Sequence, residues 1–325
     1  MKASAKAHTN IALIKYWGKR DESLILPMNN SLSLTLDGFY TTTTVDFRES
    51  LTEDSFYLND QLVSGVEYER VTSFLDLIRK YAGKPNLFAE VHSTNYVPTA
   101  AGFASSASGF AALATAAAKS LGLKISDEEL SILTRQGSGS ACRSIYGGFV
   151  EWEKGDRSDG SDSYAIQVAP ANHWDIRVAA VVLSSSAKKV LSREGMKRTV
   201  DTSAYYSSWV ESIPDDLSNI KEGIKNRDFA KVGEIAEANC LRMHATTLAA
   251  NPPFTYWRDT TLAVMQTVQE LRENGVSAYF TIDAGPNVKV LYLPENEETI
   301  QSTLREIPGV DDVIASRAGQ GVSYI

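Results

Sequence analysis

Between Asn95 and Ala118 the chain reads NYVPTAAGFASSASGFAALATAAA, with no charged side chain and few large ones. Pro98 and Gly102 allow a tight loop, and the Ala-rich run from Ser105 to Leu121 predicts a helix. A loop feeding a helix N-terminus presents unpaired N–H groups and the positive end of the helix dipole. Such a terminus can receive a phosphate, and small residues let the backbone come close to the anion. Ser105, Ser106 and Ser108 add hydroxyls for a phosphate or a metal. On small residues alone, a tightly packed helix behind a Gly-Ser turn is the simpler explanation. The segment is neither GxxxxGK[ST] nor GxGxxG.

The rest of the chain sets bounds on what this segment can serve. At 325 residues it suits one large or two ordinary domains. The net charge is −8 and no basic run occurs, which argues against a nucleic-acid partner. A local group of Lys and Arg can still hold a small anion against the global sign. Cys142 and Cys240 are the only cysteines and lie far apart, so no disulfide framework and no CxxC metal site is expected. His8, His92, His173 and His244 are scattered without HExxH spacing, which argues against a catalytic zinc. The N-terminus lacks the pattern of a secretory signal, and no apolar run suffices for a bilayer. The expectation is a cytoplasmic protein without a membrane partner.

Periodicity predicts an α+β protein. Tyr40 to Phe47, YTTTTVDF, is a β-branched strand. Ser126 and Glu129 form a capping-box pattern, with Ile125 placed to staple onto Leu130. Ile176 to Leu183 reads as a buried strand, and Asp201 to Leu248 is mainly helical. Two strands, Tyr279–Ile282 and Val288–Leu293, are joined by DAGPN, a turn by composition. A composition shift near residue 184 divides a β-rich part, 1–183, from a helix-rich part, 184–325.

PTAAGFASSASGFAALA resembles the phosphate loop of the GHMP kinases, roughly Pro-x-x-x-Gly-Leu-x-Ser-Ser-Ala. Pro98, Gly102, Ser105, Ser106 and Ala107 fit, and Phe103 stands where Leu is usual. Three further stretches are similar to one branch, the mevalonate diphosphate decarboxylases: NIALIKYWGKRDESLILPMNNSLSLTL, QGSGSACRSIYGGFVEW and DAGPNVK. The resemblance runs in order over the full length. It implies a GHMP-type N-terminal βαβ domain with a left-handed crossover, against the usual hand, and a ferredoxin-like C-terminal domain. It also implies ATP as co-substrate, Mg2+, a homodimer, and mevalonate 5-diphosphate as substrate. The tertiary hydroxyl would be phosphorylated, then phosphate and carbon dioxide lost to leave isopentenyl diphosphate.

Site residues follow from the same resemblance. A tertiary alcohol needs alignment and a base, and Asp283 matches the catalytic aspartate. Arg143 matches the arginine that holds the leaving carboxylate, for which a planar fork suits better than lysine. Tyr16, Lys19, Ser138, Gly139, Ser140 and Arg193 match positions that cradle the diphosphate, and Ser192 helps to position substrate. Gly102, Ala104, Ser105, Ser106, Ala107 and Ser108 form the ATP phosphate loop, with Ser106 the candidate metal ligand. Ser93 and Asn95 are expected near the ribose or base. Either Lys188 or Lys189 is expected to swing onto ATP. Trp17 and Cys142 are expected in the core. Two alternatives stay open: a kinase of the same superfamily that does not decarboxylate, and a nucleotide-binding regulator without chemistry.

Overall fold

The Thr-rich segment forms the middle of a long strand whose alternate side chains are buried, Thr41, Thr43, Val45 and Phe47 facing inward. The computed structural model describes residues 1–96, 105–183 and 190–325. The first part runs β1 (Lys2–Ile14), β2 (Lys19–Asp21), β3 (Leu26–Pro27), β4 (Ser31–Arg48), β5 (Ser55–Leu58), β6 (Gln61–Leu62), α1 (Val66–Tyr81), β7 (Phe88–Tyr96), α2 (Ser105–Ser120) and α3 (Asp127–Gly137). A 3-10 segment, Gly139–Ile145, then leads to β8 (Phe149–Trp152) and β9 (Ala165–Ala169). The second part holds β10 (Arg177–Leu183), α4 (Ser192–Thr202), α5 (Tyr206–Asn226), α6 (Phe229–Leu248), α7 (Asp259–Glu273), β11 (Ala278–Ile282), β12 (Val288–Tyr292), α8 (Glu297–Arg305), β13 (Val310–Arg317) and β14 (Ser323–Tyr324).

The larger sheet has the order β14-β1-β4-β7-β5-β6, and β8 and β9 extend it from β4. β5 and β7 pair in parallel and α1 connects them, a βαβ unit inside an otherwise antiparallel sheet. α2 packs on β1 and β4. Its alanines at 111, 112, 114, 116 and 117 are fully buried, so the helix is apolar on more than one face and lies inside the domain. α3 begins at the expected capping box: Ser126 Oγ accepts from Glu129 N–H, and the Glu129 carboxylate accepts from Ser126 N–H at 2.8 Å.

The second part is less purely helical than its composition suggests. Its sheet is antiparallel, in the order β11-β12-β10-β13. With α8 between β12 and β13, and α4 to α7 between β10 and β11, this is a ferredoxin-like βαββαβ arrangement with extra helices. One hydrophobic cluster joins the two parts, taking Ile11, Leu13 and Leu34 from the first and Val178, Trp209 and Val232 from the second. β1 and β11 therefore end close together, and α6 packs across both.

α6 sits tightly against β11. A Cβ on Gly233 would lie 2.0 Å from the Tyr279 ring. Ala gains about 1 kcal/mol over Gly in helix propensity, but overpacking a filled core costs about 1–3 kcal/mol. Gly233→Ala is therefore expected to lower the thermal midpoint, which calorimetry of the variant and parent will measure. A raised midpoint would mean that Tyr279 moves aside freely.

Candidate active site

A cavity of about 520 Å³ opens where β1, the 3-10 segment, α4 and the β11–β12 turn meet. Lys15, Lys19, Arg70, Arg143 and Arg193 line it, and Asp283 is the one carboxylate among its described lining residues. The charge balance suits a polyanion, although the chain as a whole is acidic.

Asp283 follows the last residue of β11, and the next strand returns antiparallel from Val288. Its Oδ1 accepts from Lys15 Nζ at 2.7 Å, and Lys289 Nζ lies 3.5 Å from Oδ2. Both lysine side chains are 2% exposed, while Asp283 keeps 32% exposure. Burial acts to raise the Asp283 pKa, but Lys15, Lys289 and Arg143 outweigh it and hold the carboxyl well below the usual carboxylate range. The group is an anion at any physiological pH.

Arg143 sits in the 3-10 segment and is buried. Its partners are neutral: Nε donates to Ser33 Oγ at 2.9 Å, Nη1 to Ser31 Oγ at 2.6 Å, and Nη2 to Asn10 Oδ1 at 3.1 Å. Asn10 is fixed in turn, its amide donating to Ser140 O and Ser144 Oγ. A guanidinium has five N–H groups. Among the described residues these bonds leave one N–H on each terminal nitrogen for a ligand's carboxylate.

Around this centre stand most of the anion-binding residues read from the sequence. Tyr16, Lys19, Ser138, Gly139, Ser140, Ser192, Arg193 and Ser106 all line the cavity. Position 139 must be small, since a Cβ there would lie 2.9 Å from the Trp152 ring and 3.1 Å from Tyr16. Those two rings pack edge to face. Lys19 is paired with the exposed Glu22 at 2.5 Å. Ser192 and Arg193 begin α4, so its unpaired N–H groups lie at the cavity wall.

Other sequence-read positions fall elsewhere. Ser93 is buried and its hydroxyl bonds Thr43; Asn95 Oδ1 accepts from Thr41, whose hydroxyl also meets Ser108. Ala107 is fully buried. These four are not among the lining residues. Ser105 opens α2. Gly102, Ala104, Lys188 and Lys189 lie outside the described residues. Trp17 and Cys142 are in the core, where burial pushes the thiol up to about 12. Among the described residues, no group of three or more His, Cys, Asp or Glu side chains could hold a metal. A divalent ion here would be carried mainly by phosphates and water, with Ser106 as a protein ligand, an arrangement that suits magnesium.

The sequence reading missed Asn10, Lys15, Lys289 and Arg70. Lys15 had a signal: a lysine in NIALIKYW, at the end of an apolar run, has to find a buried partner. Arg70 had none, standing among charged residues in VEYERV. Its Nε is buried with no hydrogen-bond partner among the described residues, and burial and the nearby Arg193 both lower its pKa.

Behind Asp283, His244 is buried and its Nε2–H donates to Ile282 O at 3.2 Å. Burial lowers its pKa from an ordinary 6.5 to about 4. The unfolded chain then takes up a proton that the folded one refuses, so stability present above pH 6.5 is lost as pH falls toward 4. The loss is about 3 kcal/mol over that window. His244→Gln is expected to flatten this part of the stability profile, measured by urea unfolding at pH 7 and near pH 4.5. An unchanged slope would mean that His244 is protonated in the fold.

The comparisons agree with this geometry. Residues 7–165 match the diphosphomevalonate decarboxylase-like N-terminal domain, and 178–321 the mevalonate 5-diphosphate decarboxylase C-terminal domain. The diphosphomevalonate decarboxylase of Candida albicans is 40% identical, over 93% of this chain and 87% of that protein. The Bos taurus enzyme is 40% identical, over 92% and 78%. The crystal structure of mevalonate diphosphate decarboxylase from Staphylococcus aureus superposes with a TM-score of 0.95 at 48% identity, covering 100% of this chain and 98% of that one. A mevalonate diphosphate decarboxylase from Enterococcus faecalis, solved in a study of mevalonate diphosphate mediated ATP binding, gives 0.93 at 49%, covering 100% and 99%. A further structure, MDDEF in complex with MVAPP, AMPPCP and magnesium, gives 0.94 at 49%, again covering 100% and 99%. With both halves matched and close relatives along nearly all its length, this GHMP-type α+β chain belongs to the diphosphomevalonate decarboxylase family.

Proposed function

We infer that the chain converts mevalonate 5-diphosphate to isopentenyl diphosphate with ATP, releasing ADP, phosphate and carbon dioxide in the mevalonate route to isoprenoids. The observation that carries this reading is the meeting, in one cationic cavity, of Asp283 with Arg143 and its two open N–H groups. A plain kinase needs the first group but has no use for the second.

In this reading Lys19, Tyr16, Arg193 and the Ser138–Ser140 turn hold the diphosphate, and Ser192 helps to place the substrate. Arg143 holds the carboxylate. As carbon dioxide forms, negative charge leaves that group, so Arg143 serves by orientation rather than by charge stabilisation. The tertiary hydroxyl faces Asp283. A carboxylate held so far down is a weak proton acceptor. It can still orient the hydroxyl through the approach to phosphorus and take the proton late, when the forming O–P bond has made it acidic. The hydroxyl oxygen bonds to the γ-phosphorus and ADP leaves. The C–C bond to the carboxylate then breaks, its electrons form the alkene, and the new phosphate departs. Ser106 would help to hold a magnesium ion brought with ATP, which would supply charge to offset that of the phosphates. The phosphate loop from Gly102 through Ala104, Ser105 and Ser106 holds the nucleotide, with Asn95 toward the ribose and Lys188 reaching the phosphates, while Ala107, Ser108 and Ser93 support that loop from the buried side.

Residues 1–183 and 184–325 act as two domains, the first supplying most of the anion-binding side chains and the second Asp283 together with Ser192 and Arg193. The family resemblance also supports a homodimer in the cytoplasm. Light scattering tests the dimer, and a monomeric mass would remove it.

The deciding assay supplies ATP and mevalonate 5-diphosphate and measures carbon dioxide and phosphate together. Equal yields are expected. ADP without carbon dioxide would make the protein a kinase only. Asp283→Asn is expected to bind both substrates yet form ADP and carbon dioxide at least about 10²-fold more slowly. ADP at the parental rate without carbon dioxide would place Asp283 after phosphorylation. Lys19→Ala should weaken substrate affinity roughly ten- to a hundredfold, the value of a charge-assisted contact, and leave ATP affinity near that of the parent. Equal substrate affinity in a direct titration would remove Lys19 from the cradle.

A further inference from the structure

We propose that Asn239, held in a single orientation by Asp216, is a positioning residue that sets the Lys15–Asp283 pair. The proposal rests on the reading of Asp283 as the group facing the substrate hydroxyl.

The argument starts from Lys15. Its ammonium donates to Ala12 O at 2.9 Å as well as to Asp283, so its position depends on where its backbone is held. That backbone is pinned on both sides. Lys15 N–H donates to Asn239 Oδ1 at 2.9 Å, and Lys15 O accepts from Asn29 Nδ2 at 2.8 Å. Asn239 is fully buried on α6.

An amide can turn over and present either end. Here it cannot do so without loss, because Asn239 Nδ2 donates to Asp216 Oδ2 at 2.8 Å. An ionised carboxylate only accepts, so the amide nitrogen must face Asp216 and the oxygen must face Lys15. Asp216 is itself fixed, both its oxygens accepting from Arg242 Nη2 at 2.9 Å. The chain of contacts runs from α5 through α6 to the end of β1.

The same face of α6 holds the other member of the pair. Asn239, Cys240, Met243 and His244 stand at i, i+1, i+4 and i+5, which share one side of a helix. Cys240 Sγ accepts from Ile282 N–H at 3.1 Å, and His244 Nε2 donates to Ile282 O at 3.2 Å. Ile282 directly precedes Asp283. About one turn and a half of helix thus fixes both backbones that meet in the Lys15–Asp283 contact, while Met243 lines the cavity beside them.

A merely structural role would also satisfy the buried Lys15 N–H. The pH dependence of turnover separates the two. Asp283 is faced by the cations Lys15, Lys289 and Arg143, and by the neutral His244 and Cys240 behind Ile282. If Lys15 withdraws, Lys289 and Arg143 alone hold the carboxylate as an anion, and Asp283 takes its proton at a higher pH.

The experiment compares Asn239→Ala and Asp216→Asn with the parent, in the intact enzyme. It measures kcat for carbon dioxide release against pH, KM for mevalonate 5-diphosphate, direct ATP affinity, and the melting midpoint. For Asn239→Ala the expectation is a kcat about ten- to a hundredfold lower, the effect of a misplacement near 1 Å. KM and ATP affinity should stay within about twofold, and the acid limb of kcat should move up by about one pH unit. Asp216→Asn frees the amide to turn, so a smaller loss with the same displacement of the limb is expected. If Asn239→Ala fails to fold, Asp216→Asn decides on the same readouts. Parental kcat per folded molecule with an unmoved acid limb overturns the proposal, whatever happens to the melting midpoint. A parent that releases no carbon dioxide would instead overturn the functional reading, and this proposal with it.

Discussion

The part-buried contact between Lys15 and Asp283 is the interaction on which the cavity depends. Taking two opposite charges out of water costs several kcal/mol per ion, and their attraction rarely returns more than that. A core designed only for stability would fill this place with apolar side chains. Here the strand ends of β1 and β11, the face of α6 and a second lysine from β12 all converge to keep one carboxylate ionised. The arrangement makes chemical sense if that carboxylate must stay an anion with a fixed direction, facing a reactant.

Charge is partitioned in a way that net values conceal. The chain carries −8, yet among the described residues the cavity wall holds five cationic side chains against one carboxylate. Among the described residues Arg143 hydrogen-bonds no carboxylate, only serine hydroxyls and an amide, and Asp283 acts on it from a distance. Neutral acceptors fix a guanidinium's direction while leaving its charge for a ligand. Arg70 and Arg193, which repel one another, complete a wall that an incoming polyanion would relieve.

Local chemistry was legible in the sequence, and long-range pairing was not. The capping box at Ser126, the strand around Val45 and the turn after Ile282 each depend on a few adjacent residues, and each formed where expected. The family-like motifs contain Asp283, Arg143 and most of the proposed anion-binding residues, which the fold brings to one cavity, though not Ser93, Asn95, Ala107 or Ser108. Lys15 and Asp283 are 268 positions apart, and no local rule joins them. Hydroxyls were hardest to assign. Ser106 reached the cavity while Ser108, two residues on, turned toward Thr41 on the buried side of the same helix. In an Ala-rich helix with no polar stripe, the sequence carries little sign of which serine faces which way.

The contact between Lys19 and Glu22 has a consequence for how a substrate arrives. The ammonium is mostly enclosed, whereas the carboxylate is 62% exposed and sits on the solvent side. On the proposed reading, a diphosphate that docks on Lys19 would have to displace Glu22, which can swing into water at little cost. Capture is then an exchange of one anion for another, and the lysine is compensated before and after it. Part of the attraction felt from a distance is cancelled in advance, so encounter should depend less on ionic strength than five cations would suggest. The selectivity that remains lies at short range, in how many oxygens an anion can offer the wall at once.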